Sequence, residues 1–490
     1  MFSRFLGSEW ANVAARALHK LMRKEELEHD EEYAVERLCS WLSRVQGTDP
    51  LVDDALDETQ REFLLSYRLP EGAAAGSTPG GGRRAPGRQY ILPQRTPRAD
   101  GLPSAEPSRA SSEETEAVKD PELQEQLQAL EDWEAFNVFK LAQLTDGRPL
   151  QTVTLALLRK RGLVSRLGLP EDRLRSFLAD AEEAYHPHNP YHNSLHAADV
   201  TQARTPGACQ QLAGLMPGPL LPASSALGAM LALDDFAAQL SDLEQLAVIL
   251  AAAIHDVGHP GVNNDFLIRT QSEAAVAYND ISINENMHAA AGFKLLAKKE
   301  NNFLSQMSLE DFRHVRRLII RIILSTDMAA HHDSVDEFAA SLRLWGPDLA
   351  AWAPDKRVVA LQLLVHAADI SNPARPLRYC CQWGHMVHEE FFAQGDKEAA
   401  LGMPVSSICD RQKASVAQSQ LTFVEYVVKP CFLALAEFAP RFAATVQPHI
   451  CEALQHWQQE QQQHAATADV ELDAAQRAAA AAGSRCLPTR

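Results

Sequence analysis

The chain has 490 residues, 46% of them hydrophobic, and 46 Lys and Arg against 64 Asp and Glu give a formal net charge of −18. That length and apolar content are ample for two or three average domains with a large core. The acidic balance argues against a nucleic-acid backbone as partner, because such binding rests on Lys and Arg displacing counterions.

Residues 1–70 read as a helical N-terminal region. Phe2, Leu6, Trp10, Val13, Ala17 and Leu21 recur at helical spacing with Arg4, Arg16, Lys20, Arg23 and Lys24 between them, and an acidic run from Glu25 to Glu32 follows. A basic amphipathic helix with a Trp can bind calmodulin or an anionic membrane surface. The acidic run would repel such partners, so the plainer reading is a helix that packs on the rest of the chain or on a second copy. A homodimer or a regulatory partner through residues 1–70 therefore stays open.

Residues 71–118 carry Gly80-Gly81-Gly82, Pro79, Pro86, Pro93, Pro97, Pro103 and Pro107 among Ser and Arg, a composition that cannot build a core and reads as a disordered linker. From residue 119 to about 460 the pattern is helical. Leu123, Leu127, Leu130, Trp133 and Phe136 form one stripe, and helices are expected over 150–161 and 174–185. Pro206, Gly207, Pro217, Pro219 and Pro222 mark an inserted loop at 205–235. Ser241 to Glu244 then reads as a capping box before a run, Leu246 to Ile254, that is apolar on every face and so buried. Further helices are expected over 308–325, 333–345, 356–370, 376–394 and 409–438, the last with a kink at Pro430. Residues 461–490 are a Gln/Ala-rich tail. Strand-like alternation is nearly absent, so the expected fold class is all-α.

The eight Cys show no CxxC or other ligand spacing and read as reduced thiols. No run approaches the ~18 apolar residues of a membrane span, and Met1 to Phe5 does not lead into a signal sequence. A cytoplasmic location is the expectation.

Two stretches carry chemistry. Tyr191-His192-Asn193-Ser194-Leu195-His196 sets His192 and His196 four apart, so that on a helix both imidazoles would leave one face. Ala253-Ile254-His255-Asp256-Val257-Gly258-His259 joins a His to an Asp at the end of an apolar run, and Asp369 is a lone acid inside another, Leu364 to Ile370. A bare carboxylate buried there would cost several kcal/mol unless paired or metal-bound. Core salt bridges are the alternative, but neither segment contains Lys or Arg. Two His and two Asp with further His beside them make a metal inventory.

These motifs, with Val262 to Ile268, Leu324 to Met328, Ala368 to Pro373 and Ser419 to Phe423, resemble the catalytic domain of class I 3',5'-cyclic nucleotide phosphodiesterases. The chain is most similar to the cAMP-specific type 4 enzymes, with some type 8 features. The resemblance keeps motif order from about residue 120 to 460, making 119–460 the expected catalytic domain.

The resemblance implies hydrolysis of a cyclic nucleotide, cAMP preferred and cGMP open, by water activated at two metal ions. It implies His196, His255, Asp256 and Asp369 as ligands, with Zn²⁺ at the tighter site and Mg²⁺ or Mn²⁺ at the second. His192 would be the general acid, its ordinary pKa of about 6.5 suiting proton donation near neutrality. His259, Glu285, His288 and Asp327 would hold metal-bound waters and ligands. Gln420 and Phe423 would hydrogen-bond and stack the purine, facing Val387 and Phe391, with Tyr191 and Asn372 near the base. Met287 stands where relatives usually carry His, and Gly258 where Asp is common. Two rivals remain: an HD-type metal phosphohydrolase acting on another phosphoester, and a catalytically weak cyclic-nucleotide-binding scaffold.

Overall fold

The computed structural model describes residues 120–129, 136–201 and 236–483, and among these every regular element is a helix or helical turn. The expected all-α fold is what the chain adopts. The N-terminal helical region, the linker, the 205–235 loop, and Leu130 and Trp133 of the first stripe lie outside the described residues.

The centre of the fold is the helix Asp242–Ile254, on which every residue from Glu244 to Ile254 is buried. Its apolar run has no polar stripe to turn outward, so burial on all sides satisfies it, each Leu, Ile or Val contributing about 1.5–3 kcal/mol. The capping box is present: Ser241 Oγ accepts from the Glu244 N–H at 3.2 Å, and the Ser241 N–H donates to Glu244 Oε2 at 2.8 Å. Arg357 then clamps Glu244 with two nitrogens at 2.8 and 3.1 Å. Around this axis pack Leu309–Leu324, Ser194–Thr201, Pro354–Asp369 and Pro149–Lys160. The last begins without a local cap. Glu182 of the Glu171–Ala184 helix supplies it instead, accepting the Leu150 and Gln151 N–H groups at 2.9 and 3.1 Å.

Two expectations change. The helix expected over 376–394 runs on as Leu377–Ala400. The single helix expected over 409–438 is instead a short turn at Ser407–Cys409, a helix Val416–Phe423, a π-turn Val424–Val428 and a helix Lys429–Phe438. Pro430 explains the π-turn, since it has no N–H to give and its ring clashes with the carbonyl one turn back. The widened turn just before it absorbs the conflict. The final helix extends from Pro440 to Gly483 and seats Trp457 against Cys380.

Candidate metal centre and cavity

Three chain segments deliver the cluster. Asp242–Ile254 ends at His255, and Asp256 follows; Pro354–Asp369 has Asp369 as its last residue; Ser194–Thr201 carries His196. His255 Nδ1 lies 2.8 Å from the Ala252 carbonyl, which turns Nε2 toward the other three residues. That Nε2 lies 3.0 Å from Asp256 Oδ2 and 3.3 Å from Asp369 Oδ1. His196 Nε2 lies 3.0 Å from Asp369 Oδ1 and 3.7 Å from Asp256 Oδ2. All four residues offer an atom within 4.8 Å of the others.

Ligand distances of about 2.0–2.2 Å put neighbouring ligand atoms roughly 3.0–3.6 Å apart, so this spacing suits a single divalent ion. His255 Nε2 and His196 Nδ1 are buried without a hydrogen bond, so for His255 proximity to the carboxylates comes without hydrogen-bond alignment. The donor set fits a metal. Burial alone lowers the His255 pKa, but Asp256 and Asp369 lift it well above the imidazole range. Both carboxylates fall below theirs, because His255 outweighs the opposing effect of burial. A proton on His255 and a bound cation are alternative ways of balancing the same two charges.

His192 departs from the expected geometry. It lies two residues before Ser194, outside the helix, so it does not share a helical face with His196. Asn193 is the reason: its Oδ1 accepts the Leu195 and His196 N–H groups at 2.9 and 3.3 Å, starting the helix there. The two rings still approach to 6.0 Å, because the preceding loop is tied from elsewhere. Glu390 Oε2 accepts the Tyr191 and His192 N–H groups, both at 3.0 Å, and Oε1 lies 2.5 Å from His192 Nδ1. Asn189 donates to the carbonyls of His192 and His259 at 3.0 and 2.7 Å. Gly261 has φ +66°, and a Cβ there would come within 2.6 Å of Asn189 Oδ1, so this loop requires glycine.

Burial lowers the His192 pKa, but Glu390 overrides it and raises the value to about 9. His259 stacks on His192 at 4.0 Å and is held well below its usual range, by burial first and then by His192. His288 sits with Nε2 3.6 Å from Asp256 Oδ1 and Nδ1 3.0 Å from the Val257 carbonyl, and burial lowers it to about 4. Met287, beside it, is half-buried. Gly258 has φ +78°, in the left-handed region that glycine enters without strain.

These groups line a cavity of about 200 Å³. Asp256, Asp369, His192, His259 and His288 line it together with a polar set formed by Asn263, Asn264, Asn284, Glu285, Thr326 and Asp327. Burial and then Asp327 push Glu285 up to about 8, and Asn264 Nδ2 donates to it at 3.1 Å. Val387, Phe391 and Phe423 form an apolar wall, with Phe391 and Phe423 resting on Ile408 and Cys409. Tyr191 also borders the cavity, and Asn372 Nδ2 donates to its hydroxyl. Gln420 is buried beside Gly384 and does not itself line the cavity.

The sequence reading missed Glu390. Its signal was an acid between Val387 and Phe391 on a half-apolar helix. Such an acid must find a partner once buried.

A helical scaffold that gathers two imidazoles and two carboxylates at one cavity defines, as a class, an all-α fold with an HD-type His–Asp centre. Residues 191–449, more than half of the chain, match the family described as 3'5'-cyclic nucleotide phosphodiesterase. The chain belongs to that family. It is 38% identical over 323 residues, 66% of its length, to the human dual specificity calcium/calmodulin-dependent 3',5'-cyclic nucleotide phosphodiesterase 1B, covering 54% of that protein. It is likewise 38% identical over 316 residues, 64% of its length, to the rat (Rattus norvegicus) 3',5'-cyclic-AMP phosphodiesterase 4C, again covering 54%. The chain thus spans about half the length of the curated relatives it matches. Among solved structures it resembles the phosphodiesterase domain of the RhoPDE fusion protein from the choanoflagellate Salpingoeca rosetta. That match has a TM-score of 0.55 at 28% identity and covers 63% of this chain and 90% of that one. No helix among the described residues is long and apolar enough to cross a membrane.

Proposed function

We propose that this chain hydrolyses a 3',5'-cyclic nucleotide, cAMP in preference to cGMP, to the 5'-monophosphate, with residues 119–460 as the catalytic domain. The observation that carries the reading is the convergence of His196, His255, Asp256 and Asp369 within 4.8 Å at a cavity that also has an aromatic wall. Those four would hold one divalent ion, Zn²⁺ in this reading, and Asp256 with Glu285, Asp327, His259 and His288 would serve a second, Mg²⁺ or Mn²⁺. When bound, the two ions supply an acidified water and neutralise the phosphate.

The chain's own groups do the rest. His192, with Nδ1 taken by Glu390, keeps Nε2 for the departing O3′ and gives it a proton. Phe423, Val387 and Phe391 clasp the purine, and Gln420, buried outside the cavity lining, would have to turn its amide into the cavity to bond the base edge. The preference for adenine rests on the resemblance at Asn372, which does not line the cavity itself but stands beside Tyr191, which does: with Nδ2 given to Tyr191, Oδ1 remains as an acceptor. An acceptor suits the adenine amine and opposes the guanine carbonyl. A relative named as dual specificity is as similar as one named a 3',5'-cyclic-AMP phosphodiesterase, which keeps turnover of both nucleotides as the second reading. The reading sets the enzyme in the cytoplasm, in keeping with five free cysteines among the described residues, and leaves residues 1–70 for a homodimer contact or a regulatory partner.

The test is hydrolysis of cAMP and cGMP by the purified chain, before and after chelation, beside His192→Ala and Asp369→Ala. Turnover should vanish on chelation and return with Zn²⁺ and Mg²⁺, and His192→Ala should lose roughly 10²–10⁴-fold in kcat. Full turnover by Asp369→Ala overturns the ligand assignment.

A further inference from the structure

Ser282-Ile283-Asn284-Glu285 has the pattern of a capping box at the start of the helix Ile283–Leu296, with Ser282 in the cap position. Neither side chain caps. Ser282 makes no bond to the helix N-terminus and instead donates Oγ–H to Asp327 Oδ2 at 2.7 Å. Glu285 turns to Asn264 rather than back to Ser282. The backbone is bent to allow this. Ser282 itself sits at φ +42°, a region L-residues seldom occupy, after Asn279 and Asp280 at +55° and +61°, the first of them the left-handed cap that closes the preceding helix. Strain of this sort persists only where surrounding contacts impose it, and it concentrates at functional sites.

What the strain secures is the Asp327 carboxylate. Oδ2 takes the Ser282 hydroxyl, and Oδ1 takes the Ala329 N–H at 2.9 Å, so both oxygens are held from behind while the residue lines the cavity next to Glu285 and Thr326. A carboxylate fixed at both oxygens presents its remaining lone pairs in one orientation, the requirement for ordering water around a hard cation. We infer that Ser282 is a positioning residue: it gives up its helix cap to aim Asp327, and through Asp327 sets the affinity of the second divalent ion. This rests on the two-ion reading above.

Ser282→Gly separates the hydroxyl from the backbone, because glycine takes positive φ without strain. The measurement is Mn²⁺ binding to the full zinc-loaded chain, followed by electron paramagnetic resonance without nucleotide, together with zinc content and melting temperature. The inference predicts that Ser282→Gly binds Mn²⁺ about 10–100-fold more weakly than the unaltered chain, the usual range for loss of an outer-sphere partner. Zinc content should stay the same and the melting temperature equal or higher, and Ser282→Asn, which tolerates positive φ and carries a donor, should recover part of the affinity. Mn²⁺ affinity equal to that of the unaltered chain overturns the inference. A parallel fall in zinc content and melting temperature also overturns it, since a purely structural role would do that. If the unaltered chain itself binds no Mn²⁺, the two-ion reading fails, and the inference with it.

Discussion

Glu390 stands behind His192, with one carboxylate oxygen 2.5 Å from the ring and the other accepting two successive backbone N–H groups. One buried acid, 4% exposed, therefore fixes both the loop and the ring it carries. The pair is mutually reinforcing: burial raises Glu390, yet His192 brings it down to about 2, while Glu390 lifts His192 to about 9. A general acid works only while protonated, so activity should fall as pH rises through the His192 pKa. Glu390→Gln removes the group that raises that pKa, and the alkaline limb of the kcat profile should move to lower pH. The profile between pH 6 and 10 checks this, and an unmoved limb counts against the assignment of His192.

Glu285 gives a second pH effect of opposite sign. Burial, then Asp327, lifts it to about 8, so without the second ion it is protonated at neutrality. Binding that ion favours the carboxylate, so Mg²⁺ affinity should climb with pH toward about 8 and level off above it. Calorimetry at pH 7 in two buffers of different ionisation enthalpy should report about one proton released per Mg²⁺ bound. Binding without proton release would remove Glu285 from the site.

Phe423 belongs to the apolar wall and to no part of the His–Asp cluster. Base stacking on an aromatic ring contributes about 1–3 kcal/mol, so Phe423→Ala should raise KM for cAMP roughly 5- to 150-fold, with smaller loss in kcat and unchanged zinc content. An unchanged KM would mean that the purine lies elsewhere.

Arg375 and Asp199 form an ion pair at 2% and 3% exposure, tying the segment after Asp369 to the helix that carries His196. Arg375→Ala would strand a buried carboxylate and should cost about 3–5 kcal/mol in urea unfolding. Arg375→Met with Asp199→Leu should recover most of that loss, because a well-packed apolar pair is close to neutral. A single variant as stable as the double one would contradict this account.

How much of this was legible in the sequence depends on the kind of interaction. The Asp242–Ile254 helix was readable nearly to the residue, because its capping box and unbroken apolar run are local signals. The cluster of His196, His255, Asp256 and Asp369 was readable because acids in apolar runs need compensation. His192 was set on a helix in error: the spacing rule saw two His four apart but not that Asn193 caps between them. The break before Pro430 was expected as a kink within one helix, whereas hydrogen bonding resolved it as a π-turn. Ser282 inverts the rule, since the cap pattern is present and the bonds go elsewhere. In these cases the deciding bond is one that periodicity does not record: a local one at Asn193 and ahead of Pro430, and one distant in sequence from Ser282 to Asp327.

The most direct test of the central claim is anomalous X-ray diffraction from crystals of the chain loaded with Zn²⁺ and Mn²⁺, recorded at both absorption edges. The account predicts a zinc peak within about 2.0–2.2 Å of atoms from His196, His255, Asp256 and Asp369. A manganese peak should lie about 3.5–4 Å away, on the side of Asp327. Zinc bound elsewhere, or a cluster without a peak in the loaded and active protein, would contradict it.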